Sequence, residues 1–335
     1  MYTQTNLFDD DLSEEKNIVY ESIEEAEQVA IERIKLASQF SEFYYHAPIL
    51  ITFSGGKDSD VLLRLAQKSG VNYEVIHSIT TIDAPETNRH VNEVFERERE
   101  RGIHCIKHIP TYKGEPTNMW KLIEVKRMPP TRIVRYCCKI LKETTTPNRL
   151  ICLGVRRAES SRRANRGVFE VRGKTFKEVQ SYSMMHMVEA FNTALDEQEL
   201  YGTDNNELNP SDCYMITTMK KKNDAVVNPI VDWTDAMVWQ YVRYEQIQLN
   251  PLYAKGYTRV GCIGCPLGNV KKQKMDFERY PSIKNLYIKA FQKMIDKRKA
   301  DGLKTIWKTG EECMEWWLGG GGMTITPLPS KKGEN

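Results

Sequence analysis

The chain has 335 residues, 40% of them hydrophobic and 28% charged, with a formal net charge of +3. That length can bury one large core or two modest ones, and the balance is that of a soluble globular enzyme. No apolar run approaches the ~20 residues of a membrane span and no basic-then-apolar export signal opens the chain, so a cytoplasmic protein with no membrane partner is expected.

Residues 1–46 form an acidic N-terminal helical region, and 1–30 carry nine carboxylates and one lysine. Ile23, Ala26, Ala30, Ile34 and Ala37 recur at helical spacing, predicting a helix from about Ile18 to Tyr45. The apolar run Pro48–Phe53 then reads as a buried strand, followed by Ser54-Gly55-Gly56-Lys57-Asp58-Ser59 and a helix through Val61–Ala66. A glycine turn opening a helix aims several backbone N–H groups at one spot, and the ~+0.5 charge equivalent of the helix terminus favours an anion there. Pyrophosphate is the expected guest. Two glycines let backbone approach phosphate oxygens, Lys57 adds a point charge, and Asp58 can hold Mg²⁺ against the same oxygens.

A second strand is expected at Tyr73–Ile79, then a loop at Thr81–Thr87 leading into a charged helix that ends near Arg101-Gly102. A third strand is expected at Ile103–Ile109 and a fourth at Arg149–Gly154. This βαβα order predicts an α/β fold with a parallel twisted sheet, helices on both faces and ligands beyond the carboxyl ends of the strands. Ser54, Asp83 and Arg156 all fall at such ends. After the fourth strand Arg156, Arg157, Arg162 and Arg163 crowd together, and guanidinium forks match phosphate or sulfate oxygens two at a time.

Eight cysteines in a chain without an export signal point to metal or redox chemistry rather than disulfides. Cys137-Cys138 and the C-x-x-C pair Cys262/Cys265 offer four thiolates, the number that holds a [4Fe–4S] cluster. A Cys₄ zinc site is the alternative, less suited to adjacent cysteines. Cys105 and Cys152 sit in strand patterns as core residues, and Cys313 reads as a helix residue. Residues 178–222 form an insertion without a motif, read as a helix pair or lid. Residues 271–318 form a basic helical region, with twelve Lys and Arg against four Asp and Glu in 271–308. Its helix from Ile283 to Lys299 is either an exposed face or a nucleic-acid backbone contact. The tail, 319–335, reads as loosely ordered.

Together these residues resemble a known family. Ser54 to Ser59 resembles the PP-loop of the N-type ATP pyrophosphatases, whose fold is the adenine nucleotide alpha hydrolase type. Asp83-Ala84-Pro85-Glu86-Thr87 is similar to a shortened D-x-x-x-P-E-T loop of the phosphoadenosine phosphosulfate (PAPS) reductase branch. Gly154 to Arg163, with Arg156, Glu159, Ser160 and Arg163, resembles its G-x-R-x-x-E-S-x-x-R element. Asp232-Trp233-Thr234, Asn250-Pro251-Leu252-Tyr253 and Gly261-Cys262 resemble its C-terminal signature. The likeness spans about Leu50 to Gly268, within a domain at 47–270.

The resemblance implies nucleotide contacts at Asp83 and Glu86 and phosphate or substrate contacts across Arg156–Arg163. Sulfonucleotide reductases carry a degenerate glycine turn, whereas this one is intact, which implies cleavage of ATP with Mg²⁺. The expected activity is sulfur transfer to an activated acceptor, as in DNA phosphorothioation of the Dnd type or cluster-dependent tRNA thiolation, with a cysteine desulfurase as donor. Two alternatives stand beside it: a sulfonucleotide reductase using Cys313 as nucleophile, and a non-catalytic nucleotide- and cluster-binding subunit.

Overall fold

The computed structural model describes residues 18–142, 149–172, 179–182 and 224–321. The acidic stretch before residue 18, the expected insertion apart from 179–182, and the tail past 321 lie outside the described residues. In chain order the helices are α1 (Ile23–Tyr45), α2 (Lys57–Ser69), α3 (Pro85–Glu100), α4 (Met119–Lys126), α5 (Tyr136–Leu141), α6 (Asp235–Tyr244), α7 (Val270–Arg279), α8 (Pro281–Ala300) and α9 (Gly310–Trp316). The strands are β1 (Ile49–Thr52), β2 (Tyr73–Ser78), β3 (Cys105–His108), β4 (Thr111–Tyr112), β5 (Glu115–Pro116), β6 (Arg149–Cys152), β7 (Phe169–Arg172), β8 (Val179–Tyr182) and β9 (Asp224–Val227). The chain divides into two compact units, Met1–His77 with His90–Ile106 and Thr146–Arg259, and Ser78–Arg89 with Lys107–Thr145 and Val260–Asn335.

A seven-stranded sheet ordered β3-β2-β1-β6-β9-β7-β8 frames the first unit. β1 runs parallel to β2 and β6, with Ile49 opposite Tyr73 and Leu50 opposite Ile151, and β6 runs parallel to β9. β7 is antiparallel to both β9 and β8, so the expected parallel sheet carries an antiparallel margin. Ile49, Ile51, Val75, Leu150 and Val227 turn one way into a core with Ile34, Leu62 and Phe95. Leu50, Ile76, Ile151 and Val226 turn the other way and are equally buried, so both faces of the sheet are covered, as its unbroken apolar runs require. Each such side chain contributes about 1.5–3 kcal/mol.

α1 buries the predicted stripe Ile23, Ala26, Ala30, Ile34 and Ala37. It opens later than its periodicity suggests because the Ser22 hydroxyl accepts the Glu25 N–H at 3.2 Å and fixes the start there. The chain leaves β1 for β2 on one side and returns at β6 on the other. The carboxyl ends of β1 and β6 therefore flank the point where strand order reverses, which is where open α/β sheets hold their ligands.

The described part of the second unit holds α4, α5, α7, α8 and α9 together with the β4–β5 pair and the end of β3. Tyr287 and Phe291 of α8 meet the Trp317 ring at centroid distances of 5.0 and 5.5 Å, and the Trp317 indole N–H donates to the Pro130 carbonyl at 2.7 Å. The basic helix expected at Ile283–Lys299 is α8, which buries Tyr287, Ala290, Phe291, Met294 and Ile295 and exposes Lys289, Lys293, Lys297 and Lys299. Among the described residues no helix is long and apolar enough to cross a membrane.

Candidate functional site

In the first unit the loop between β1 and α2 is tied by the Ser59 hydroxyl, which accepts N–H groups from Ser54 and Gly56 at 3.2 Å and donates to the Gly56 carbonyl at 2.7 Å. Gly55 takes a positive φ of 74°, a conformation that favours glycine. α2 begins at Lys57, so Lys57 and Asp58 stand in its first turn. Gly154, just past β6, approaches so closely that a Cβ there would lie 2.8 Å from the Asp58 carbonyl oxygen.

Four charged side chains converge on this loop. Lys57 Nζ lies 3.2 Å from Asp58 Oδ2 and 3.0 Å from Asp235 Oδ1. Arg156 donates from Nε to Asp58 Oδ1 at 2.6 Å and from Nη2 to Asp235 Oδ1 at 3.1 Å. Both cations are buried, Lys57 at 4% and Arg156 at 2% exposure, so their alternation with two carboxylates compensates charge that water does not reach. Burial pulls the Asp235 carboxyl upward, but Lys57 and Arg156 outweigh it and hold the group below its ordinary value of 3.8. The Lys57 N–H donates to Tyr253 Oη at 2.8 Å, and Asn250 Nδ2 donates to the Gly55 carbonyl at 3.0 Å. Lys57 Nζ also lies 5.9 Å from the centre of the Trp239 ring.

From the arginine region, Arg156 bonds to Asp58 at the glycine loop. Arg157 Nε donates to the Arg166 carbonyl at 2.8 Å. Glu159 accepts the Arg156 N–H at 3.2 Å, pairs with Arg163, and lies 3.6 Å from Arg259. The Ser160 carbonyl accepts the Arg163 N–H at 2.8 Å. Asp235 was not among the expected site residues, and Asn250 and Tyr253 carried no assigned role. Thr234-Asp235 reads in sequence as an ordinary helix start, and Thr234 Oγ1 does accept the Met237 N–H at 3.1 Å. The same capping puts Asp235 on the first turn of α6, aimed at the two cations.

In the second unit Cys137 and Cys138 of α5 and Cys262 and Cys265 of the C-x-x-C turn line one cavity, together with Lys142 and Tyr287. A thiol hydrogen bond from Cys137, aided by Arg135 and Lys142, lowers Cys138 toward the thiolate, while Cys137 is raised in turn. Burial raises Cys262 against the pull of Lys142, whose own ammonium form is favoured by Cys262 and Asp83. Asp83 accepts from Thr80 Oγ1 at 2.6 Å and lies 4.0 Å from Cys262 Sγ. Glu86 accepts from Tyr280 Oη at 2.8 Å.

Among the described residues no three His, Cys, Asp or Glu side chains close on a single metal ion. Four thiols around one cavity, one drawn toward the thiolate and a lysine among them, are by donor count and chemistry a set that fits a [4Fe–4S] cluster. Cys105 and Cys152 are core residues as expected, and burial pushes their thiols up to about 11 and about 12. Cys313 is fully buried in α9, where burial raises its thiol as well. Cys213 lies outside the described residues.

The family model of the phosphoadenosine phosphosulfate reductase domain matches residues 48–267. Two uncharacterized proteins of Methanocaldococcus jannaschii are 28% and 25% identical over 69% and 87% of this chain, and the chain spans 39% and 60% of their lengths. A phosphoadenosine 5'-phosphosulfate reductase of Xylella fastidiosa is 32% identical over 25% of this chain and 37% of its own. The phosphate complex of the Candida auris PAPS reductase superposes on 73% of this chain and 96% of its own with TM-score 0.39 and 15% identity. The Methanococcus maripaludis U34-tRNA thiolase with its [4Fe-4S] cluster does so on 85% and 82% with TM-score 0.35 and 11% identity.

Proposed function

The chain belongs to the phosphoadenosine phosphosulfate reductase domain family, and from that premise we propose that it cleaves ATP between the α and β phosphates to activate an acceptor for sulfur transfer. The observation that carries this reading is the complete glycine loop with Lys57 and Arg156 buried beside it. An oxygen of the acceptor attacks the α phosphorus, pyrophosphate leaves with the electron pair of the broken P–O bond, and a sulfur nucleophile then displaces AMP from the activated acceptor. The Gly55 amide receives the departing diphosphate, the Gly56 and Lys57 amides exchange Ser59 Oγ and Tyr253 Oη for its oxygens, and Lys57 and Arg156 exchange their carboxylate partners for the same oxygens. Positioned charge of this kind dominates phosphorus chemistry, and no strong general base is required. Once released by the two cations, Asp58 would hold Mg²⁺, which when bound would supply further charge neutralisation.

Cys137, Cys138, Cys262 and Cys265 are the residues that would hold a [4Fe–4S] cluster, which supplies iron able to bind sulfur when present. Asp83 and Thr80 stand beside Cys262, and Thr80 lines that cavity. We assign nucleic acid as the acceptor class, met through the exposed lysines of α8, and a cysteine desulfurase as the sulfur donor.

Reduction of a sulfonucleotide is the second reading, favoured by the matching stretch shared with named reductases. That chemistry needs an accessible thiolate, and the burial of Cys313 speaks against this residue supplying it. Anaerobically purified protein with Mg²⁺ separates the two. ATP yielding AMP and pyrophosphate in equal amounts supports the first, and thiol-dependent release of sulfite from a sulfonucleotide supports the second.

A further inference from the structure

The turn carrying Cys262 and Cys265 is held largely by side chains beyond residue 267, where the match to the family domain ends. Ile263 donates its N–H to the Ile82 carbonyl at 2.8 Å, and its own carbonyl accepts from Tyr287 Oη at 3.3 Å. Gly264 donates its N–H to Asp276 Oδ2 at 3.0 Å, and its carbonyl accepts from Gln273 Nε2 at 3.0 Å. Every backbone polar group of the two residues between the cysteines is therefore satisfied, most of them by α7 and α8.

These partners are fixed in turn. Gln273 and Asp276 are each 1% exposed, and Lys272 Nζ binds the same Asp276 oxygen at 2.7 Å. Gly264 has a φ of 68°, and a Cβ on it would lie 2.2 Å from Phe277 Cζ. The turn thus rests on α7 with no room for another residue type, in a conformation that favours glycine.

We propose that Gln273 and Asp276 are positioning residues for the Cys262–Cys265 pair. They hold the one turn conformation that aims both thiols into the cavity, so the helical extension completes the cysteine site. The proposal rests on the reading of the four cysteines as one ligand set for what the thiols hold. The turn itself is independent of that reading. Removing the Asp276 carboxylate leaves the Gly264 N–H buried without a partner and favours opening of the turn, whereas asparagine keeps an acceptor oxygen in place.

The test uses the full-length protein, anaerobic and metal-free, with iodoacetamide alkylation followed cysteine by cysteine by mass spectrometry. Asp276→Ala is expected to speed alkylation of Cys262 and Cys265 about tenfold, the scale of one orphaned buried hydrogen bond. Asp276→Asn should stay within about twofold of wild type, and slow labelling of the core thiols Cys152 and Cys313 reports an intact fold. Unchanged labelling in Asp276→Ala, or Asp276→Asn as fast as the alanine variant, overturns the proposal. Should the alanine variant also expose the core thiols, Gln273→Ala against Asp276→Asn decides, the first required to be fast and the second near wild type. Reconstitution with ferrous iron and sulfide supplies a separate reading. If the wild type takes up no iron, the cluster assignment falls while the alkylation result still decides the positioning role.

Discussion

Lys57 and Arg156 each touch both Asp58 and Asp235, so an anion entering the glycine loop must draw two buried cations away from carboxylates that already satisfy them. Asp235 is the outer member of that set, its side chain 63% exposed, and solvent screening keeps its pairing worth under about 1 kcal/mol. Its carboxyl titrates below 3.8 in the folded chain, so this stabilisation is complete above that pH and is lost as pH falls through the lower folded value. Thermal melts of wild type and Asp235→Asn should therefore differ slightly at pH 6 to 7, by roughly that energy, and converge well below pH 3.8. A constant difference across the range would remove Asp235 from the ion-pair set. Gly154 gives a sharper test at the same loop. Gly154→Ala places a Cβ against the Asp58 carbonyl and should weaken binding of an ATP analogue tenfold or more, with a stability loss of about 1–3 kcal/mol in urea titration.

At the scale of elements, β1 was legible as an apolar run, β2, β3 and β6 as short β-branched and apolar stretches bounded by turn residues, and α1 because its buried positions recur at helical spacing. β7, β8 and β9 were not, since they pair with one another and with β6 across long stretches of sequence that local pattern does not connect. The glycine loop and Arg156 were readable because their chemistry needs unusual residues at fixed spacing. Asp235 was hidden because an acid after a capping threonine looks like any helix start. Asp83, expected as a nucleotide contact, has Thr80 and Cys262 as neighbours, a pairing across 179 positions of sequence that no local motif announces. α9 and its continuation carry a prediction of their own. Trp317→Phe keeps most of the ring packing but strips the Pro130 carbonyl of its donor, and should destabilise the protein by about 1 kcal/mol, whereas Trp317→Ala should cost about 3–5 kcal/mol in urea titration.

At the scale of the whole molecule the net charge of +3 conceals a basic C-terminal stretch, and Lys289 and Lys293 stand exposed on α8. If that face meets a nucleic-acid backbone, the logarithm of the binding constant should fall linearly with the logarithm of salt concentration. Lys289→Glu with Lys293→Glu should then flatten the slope by about 2, given roughly one released counterion per phosphate contact. A slope unchanged by the pair would place the acceptor elsewhere. The chain spans 39% and 60% of the lengths of its Methanocaldococcus jannaschii relatives.

Central to the proposed function is the grip of the amides and cations around Gly55 and Gly56 on the diphosphate that leaves when ATP is cleaved. Calorimetric titration of the full-length protein with the α,β-methylene analogue of ATP and Mg²⁺ tests it most directly. One saturable site, displaced by pyrophosphate and lost in Lys57→Ala, is the expected result. No measurable association with the wild type, or equal binding to Lys57→Ala, would contradict it.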